Sequence, residues 1–353
     1  MSSGSRTARH PTILDVARVA GVSKSTVSNV IRSFEGVTDE TRQAVDRAIE
    51  QLGYRPNAIA RDLAQQRTQL FGTVIGDLNN PFHAEMAKLV ERESAARGYA
   101  TMFSNTLGGG AAEATGIEMM LEHRVAGIVF LAFSARDRPL RSSLKGRVPV
   151  VFVGCSEPWA DSVVAADRRG ARLATEHLIA LGHRQIAFLA NALVEEHGHR
   201  SRLAGYRDAL DRAGLRPGPS LTWGEEGPIT TVGGKPVRLP ELLRGHSRVT
   251  AVFSSNDFGA VELLDFADRS GIGVPDELSV VGFDGAAVTG LSRIAITTVA
   301  QPKEQLVRLG TEALVARIEG RSTGRPRRRV IDVELVVRRS AAAPAGPQRQ
   351  RRR

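Results

Sequence analysis

Lys24, Ser25, Thr26, Ser28 and Asn29 stand within six consecutive positions, with Ser23 directly before them. Each ends in a short or flexible hydrogen-bonding group. Carried on one helix face, such a set reads donors and acceptors on base edges and grips phosphate oxygens once the helix lies in the major groove of DNA. Lys24, Ser25 and Asn29 are the candidates for base readout, and asparagine matches the edge of adenine with two bonds. Thr26 and Ser28 suit phosphate contacts. Ser23 can cap the helix at the same DNA-facing end.

The elements that must position this face are two short helices around a tight turn, spelled by residues 12–29. Thr12 can N-cap the first helix, and Asp15 stands three residues on, the capping-box spacing. Val16, Ala17 and Ala20 recur at helical spacing and give a small apolar face. Gly21 can adopt the left-handed conformation that ends a helix. Val27, Val30 and Ile31 form the buried side of the second helix. An ordinary helical hairpin fits this window as well, so the residues that follow decide. Thr38 caps a third helix, with Asp39 and Glu40 in the first turn, where the helix dipole favours negative charge. Val45, Ala48, Ile49 and Leu52 supply its stripe, Gly53 stops it, and Tyr54-Arg55-Pro56 leads out in extended form. Three helices with one core make a helix-turn-helix headpiece. Residues 57–63 then form a run of good helix formers too brief to be stable alone.

Through TILDVARVAGVSKSTVSNVI, GVTDETRQAV and LGYRPNAIARDL, the chain resembles the LacI/GalR family of bacterial transcription regulators. The likeness continues through GTVIGDLNNPF at 72–82, RLATEHLIALGHRQIA at 172–187, RLAGY at 202–206, SND at 255–257, SVVGFD at 279–284, TTV at 297–299 with Gln301-Pro302, and ELVVR at 334–338. Only the termini and residues 223–240 fall outside it. The resemblance implies an α/β fold. A helix-turn-helix headpiece and a hinge helix precede a periplasmic-binding-protein-like core of two doubly wound parallel-sheet subdomains, between which the chain crosses three times. The expected divisions are a disordered N-terminus (1–11), the headpiece (12–55), a hinge helix and linker (56–69), an effector-binding and dimerisation core (70–340), and a disordered basic tail (341–353). It further implies that Asn57, Ala60 and Leu63 meet the minor groove, Leu63 as a wedge between base steps.

Composition agrees with a soluble, multi-domain globular protein of 353 residues. No apolar run is long enough to cross a bilayer, and MSSGSRTARH lacks the apolar segment of a secretory signal. The single cysteine, Cys155, allows no intramolecular disulfide and suits a reducing cytoplasm. The net charge of +10 is unevenly spread: residues 1–68 carry +3 and residues 321–353 carry +9, so the intervening residues carry −2. DNA binding is therefore indicated by the helix pattern and not by overall basicity. The Arg-rich tail reads first as a solvated segment, ahead of a second DNA grip.

From Leu70 onward, apolar runs alternate with amphipathic helices. Strands are expected at 71–75, 100–104, 127–133 and 148–153, and a second set at 185–190, 251–254 and 278–283. Helices are expected at 82–97, 112–123, 169–181, 200–213 and 257–270. Two such halves leave a cleft at the carboxyl ends of their strands, where ligands bind in open α/β sheets. Carried over from the family, Arg202, Asn256 and Asp284 are the expected effector contacts, with Phe82 and Phe133 as apolar walls. A guanidinium and a carboxylate in one cleft suit a polyhydroxyl or similarly polar molecule. Asp257 or Asp284 capping a turn is the plainer alternative. Gly154 and Gly285 stand where many sugar-responsive members carry polar side chains, and His83 stands where an aromatic is common.

Other chemistry is weakly supported. Gly108-Gly109-Gly110 lacks the Gly-Lys-Ser/Thr of a phosphate loop, and no nucleophile elbow occurs. His177, His183, His197 and His199 do not show a metal-ligand spacing and read as surface or turn residues. No cofactor and no metal is expected. A stand-alone solute-binding protein and a sugar-modifying enzyme share the core and remain as alternatives. The leading expectation is a cytoplasmic homodimer on an inverted-repeat DNA operator, controlled by a small effector, non-enzymatic and without membrane contact.

Overall fold

The computed structural model describes residues 11–31, 34, 36–54, 68–106, 111–131, 140–144, 146–190, 198–224, 227–232, 235–244 and 249–344. The chain separates into two units, Met1–Thr68 and Gln69–Arg353. In the first unit, α1 (Ile13–Ala20), α2 (Lys24–Ile31) and α3 (Asp39–Leu52) bury Val16, Ala17, Val27, Val30, Val45, Ala48 and Tyr54 together. The caps are local chemistry made visible. Thr12 and Asp15 form a reciprocal capping box, and Gly21 and Gly53 end α1 and α3 at φ of 67° and 59°. Thr38 accepts the Thr41 N–H at the start of α3.

The second unit holds two sheets. The first is wholly parallel, in the order β13-β5-β4-β3-β1-β2. Its strands are β1 (Leu70–Ile75), β2 (Ala100–Asn105), β3 (Gly127–Leu131), β4 (Val150–Val153), β5 (Asp161–Ala165) and β13 (Arg328–Ile331). Because both faces are covered, the inner strands β3, β4 and β5 are buried at every residue. Helices α4 (Pro81–Ala95), α5 (Ala111–Glu122) and α6 (Leu140–Leu144) connect them. Asn80 caps α4 by accepting the Phe82 N–H at 3.0 Å, with Pro81 at the first helical position, so Asn-Pro-Phe is a helix start in physical terms.

The second sheet, in the order β14-β12-β11-β10-β6-β7-β8-β9, is mixed. It contains β6 (Ile186–Leu189), β7 (Ser220–Gly224), β8 (Gly227–Val232), β9 (Lys235–Arg238), β10 (Ala251–Ser254), β11 (Ser279–Asp284), β12 (Thr297–Ala300) and β14 (Glu334–Val336). Its helices are α7 (Asp167–Ala180), α8 (His199–Arg212), α9 (Leu239–Arg244) and α10 (Asp257–Arg269). The Gly/Pro-rich stretch that departs from the family is an antiparallel meander, β7-β8-β9, added to the sheet edge. The chain passes between the halves three times: from β5 to α7, from β12 to α11 (Lys303–Ile318), and from β13 to β14. α11 belongs with the first half, since Leu306, Val307, Leu314 and Val315 join its core.

Two expectations need correction. His183 is not a surface residue; it is 1% exposed. Its Nδ1 accepts from Thr250 Oγ1 at 2.8 Å, and its Nε2 lies 2.9 Å from the Ala342 carbonyl, which requires Nε2 to carry the proton. A lone histidine in sequence gives no hint of partners so distant along the chain. The same contacts move the start of the tail. Ala342 N–H donates to Ser279 Oγ at 3.0 Å, and Ser340 Oγ bridges Thr297 N–H and the Val280 carbonyl. Residues 341–344 are therefore stitched to the core, and 345–353 lie outside the described residues.

Candidate functional site

On α2, Ser23, Lys24 and Ser25 are exposed, and Thr26, Ser28 and Asn29 are half-buried. Ser23 Oγ accepts the Thr26 N–H at 3.0 Å and lies 2.7 Å from Ser25 Oγ. It thus caps α2 and orients its neighbours, while Val27 and Val30 anchor the opposite face in the headpiece core. This places the polar set on the open side of a rigid helix, as a major-groove reader requires. Asn57, Ala60 and Leu63 lie outside the described residues.

At the carboxyl ends of the second sheet, Arg202 enters from the first turn of α8 and is 6% exposed. Its Nε donates to Asp167 Oδ1 at 2.8 Å and its Nη1 to the Ser255 carbonyl at 2.6 Å. Asp284 Oδ1 stands 3.3 Å from Nη1, and the guanidinium lies 3.9 Å above the Phe283 ring. Asp284 has φ of 127°, a strained conformation for a residue with a side chain. Gln301 holds it there, donating from Nε2 to Oδ1 at 2.8 Å and from its main chain to the Asp284 carbonyl. Strain fixed by surrounding bonds is a usual mark of a ligand site.

The expected residues divide accordingly. Arg202 and Asp284 are brought together. Asn256 is fully buried, and its Oδ1 caps α10 by accepting the Gly259 N–H at 2.8 Å. Phe82 is 3% exposed and belongs to the first half's core, so it offers no open wall to a ligand. Phe133 lies outside the described residues. His83 is buried and bonds the Asp77 carbonyl at 2.9 Å, which fixes the loop after β1. Gly154 and Gly285 have φ of 75° and 68°, and a Cβ on Gly285 would meet Ala300 at 2.7 Å. A side chain at either position would be strained by the left-handed backbone, and at Gly285 it would also collide with Ala300.

Sequence reading missed Asp167, Gln301, Glu85 and Lys303. Asp167 begins the helix after β5, a strand-end carboxylate of the kind sought elsewhere, and Gln301 sits inside a noted motif. Glu85 and Lys303 are less legible, because they form a clasp between the halves. Glu85 Oε1 accepts the Ala287 N–H at 2.7 Å while its other oxygen pairs with Lys303 Nζ. Lys303 Nζ also donates to the Gly285 carbonyl at 2.7 Å. From beneath, Asp257 Oδ2 accepts the Ala286 N–H at 2.7 Å and Oδ1 accepts Thr298 Oγ1–H at 2.6 Å. Burial pushes the Asp257 carboxyl up to about 7, against the lowering effect of those bonds and of Arg202. Residues 285–287 are thus gripped from both halves.

A headpiece that presents a polar helix, followed by two open α/β halves closing on a charged cleft, defines a DNA-binding regulator with a ligand-binding core. The sequence pattern described as "Bacterial regulatory proteins, lacI family" matches residues 12–57, and that of a periplasmic binding protein-like domain matches residues 175–341. The HTH-type transcriptional regulator GalR of Escherichia coli (strain K12) is 36% identical over 341 residues, 95% of this chain and 96% of that protein. The lac repressor dimer bound to operator and the anti-inducer ONPF aligns with a TM-score of 0.80 at 27% identity, covering 95% of this chain and 100% of that one. A transcriptional regulator CelR–cellobiose complex aligns at 0.64 and 32% identity, over 94% and 100%. The chain belongs to the lacI family of bacterial regulatory proteins and is a helix-turn-helix transcription regulator. No described helix is long and apolar enough to cross a membrane.

Proposed function

We propose that this regulator represses transcription as a homodimer on an inverted-repeat operator, and that a sugar or similarly polar metabolite in the cleft sets its operator affinity. The observation that carries the reading is the Arg202–Asp167–Asp284 cluster set beside a clasp that joins the two halves. A ligand that competes for those groups binds the arrangements of the halves unequally, which is the condition for switching. The solved relative holding cellobiose supports a polyhydroxyl ligand for this core shape. Reading of the site falls to Lys24, Ser25 and Asn29, phosphate contact to Ser23, Thr26 and Ser28, and minor-groove contact to Asn57, Ala60 and Leu63. Ligand contact falls to Arg202 and Asp284, with Asn256, Phe82 and Phe133 supporting the cleft. The exposed Phe103 on the free edge strand β2 offers apolar surface to a second copy. Footprinting on a promoter fragment tests the reading: a two-fold symmetric protected site is expected, and protection of one asymmetric half-site contradicts it.

A further inference from the structure

The first half carries a second concavity, away from the cleft, of about 640 Å³, lined by Arg97, Arg321, Arg327 and Arg329 together with Ser322 and Thr323. This size falls within the range of small-molecule pockets. Its two acids are already engaged. Asp161 accepts from Arg317 Nε at 2.7 Å and from the Arg327 main-chain N–H at 2.7 Å. Glu312 is bonded by Arg308 at 2.9 Å and lies 3.8 Å from Arg97. Arg327 and Arg329 have no carboxylate at ion-pair distance among the described residues.

The loop that carries these groups is built from below. The half-buried Arg317 donates to the Ser322 carbonyl at 3.1 Å and the Gly324 carbonyl at 2.7 Å while holding Asp161. Arg321 is paired with Glu319, so the loop is shaped without the side chains of Arg327 and Arg329. β13 continues the platform: Ile331 packs on the core of this half, and the two-residue repeat of a strand puts Arg329 on the same side. Two guanidiniums with no carboxylate at ion-pair distance, Arg327 close enough to Asp161 to help hold its carboxyl down, stand on fixed backbone with two hydroxyls beside them and match the planar, bidentate demands of phosphate oxygens. α11 begins at Lys303 in the clasp and ends at this loop, and its 16 residues span about 24 Å, so the two places are separate.

We propose that this cavity is a binding site for a small phosphate-bearing metabolite, distinct from the cleft. The competing explanation is that the arginines only guard the free edge of β13 against strand pairing. Calorimetric titration of the full chain with inorganic pyrophosphate, and separately with glycerol 3-phosphate, distinguishes them. Saturable binding at one site per chain is expected, at least tenfold weaker in the R327Q/R329Q double variant and unchanged in K303M, which alters only the clasp. Equal binding by the double variant overturns the proposal. So does an absence of saturable binding accompanied by self-association of the double variant, which would assign the arginines to edge protection.

Discussion

Glu85 in the first half accepts the main-chain N–H of Ala287 in the second half at 2.7 Å, and the same carboxylate pairs with Lys303. The two halves are thereby joined through a segment of second-half backbone that Asp257 also holds from its own side. A bond of this kind has a direct readout. In Glu85→Ala the Ala287 amide loses its acceptor, and its hydrogen exchange is expected to accelerate about tenfold, corresponding to about 1.4 kcal/mol. Unchanged protection of that amide would show that the clasp does not hold the halves.

Arg202 sits between two carboxylates, each with a side chain no more than 12% exposed. Removing it leaves both without their partner, which costs about 3 kcal/mol or more in buried clusters. Arg202→Ala is expected to lower the melting temperature of the core by roughly 6 °C and to abolish the effector response. A melting temperature within one degree of the parent would show that the cluster is well solvated.

The carboxyl of Asp257 lies at about 7 in the folded chain because burial disfavours its charge. Its value in the unfolded chain is about 4. Between those pH values the folded state keeps a proton that the unfolded state releases, so this group makes stability fall as pH rises from about 4 to 7, by up to about 1.4 kcal/mol per unit. Below that window the contribution is fully present. Asp257→Asn can keep bonds to both Ala286 and Thr298 and should flatten the pH dependence of the melting temperature across the window. The same slope in parent and variant would show that Asp257 is ionised throughout.

In the headpiece, the two roles assigned to α2 separate by sequence dependence. Asn29→Ala should cost about 1–3 kcal/mol on the best operator and relax preference at one base pair. Thr26→Val should weaken all DNA sequences alike. Binding measured on a library of single-base operator variants checks both, and a uniform loss in Asn29→Ala would move that residue to the phosphate set.

What could be read from the sequence was mostly local. Thr12 with Asp15, Gly21 and Thr38 reveal their roles because each cap acts within four residues. Most buried strands announce themselves as apolar runs, β5 and β12 being the exceptions because polar residues interrupt their short runs. The family motifs carried the order of elements and placed Arg202 and Asp284 together. The clasp was not legible, since Glu85 and Lys303 are 218 residues apart and neither falls in an apolar pattern. Asp161 and Arg317, 156 apart, are hidden for the same reason. The meander at β7–β9 appeared only as excess glycine and proline, because short exposed strands lack the alternation that marks a half-buried one.

Cleft occupancy and operator binding are expected to be coupled, and coupling of binding free energies is reciprocal. The direct test measures operator affinity by fluorescence anisotropy with and without a saturating sugar, taken from a panel beginning with cellobiose and ribose. Affinity for the same sugar is then measured with and without saturating operator. The predicted result is a sugar that shifts operator affinity by at least fivefold and whose own affinity shifts by the same factor. A sugar that binds the core tightly while operator affinity stays constant would contradict the account.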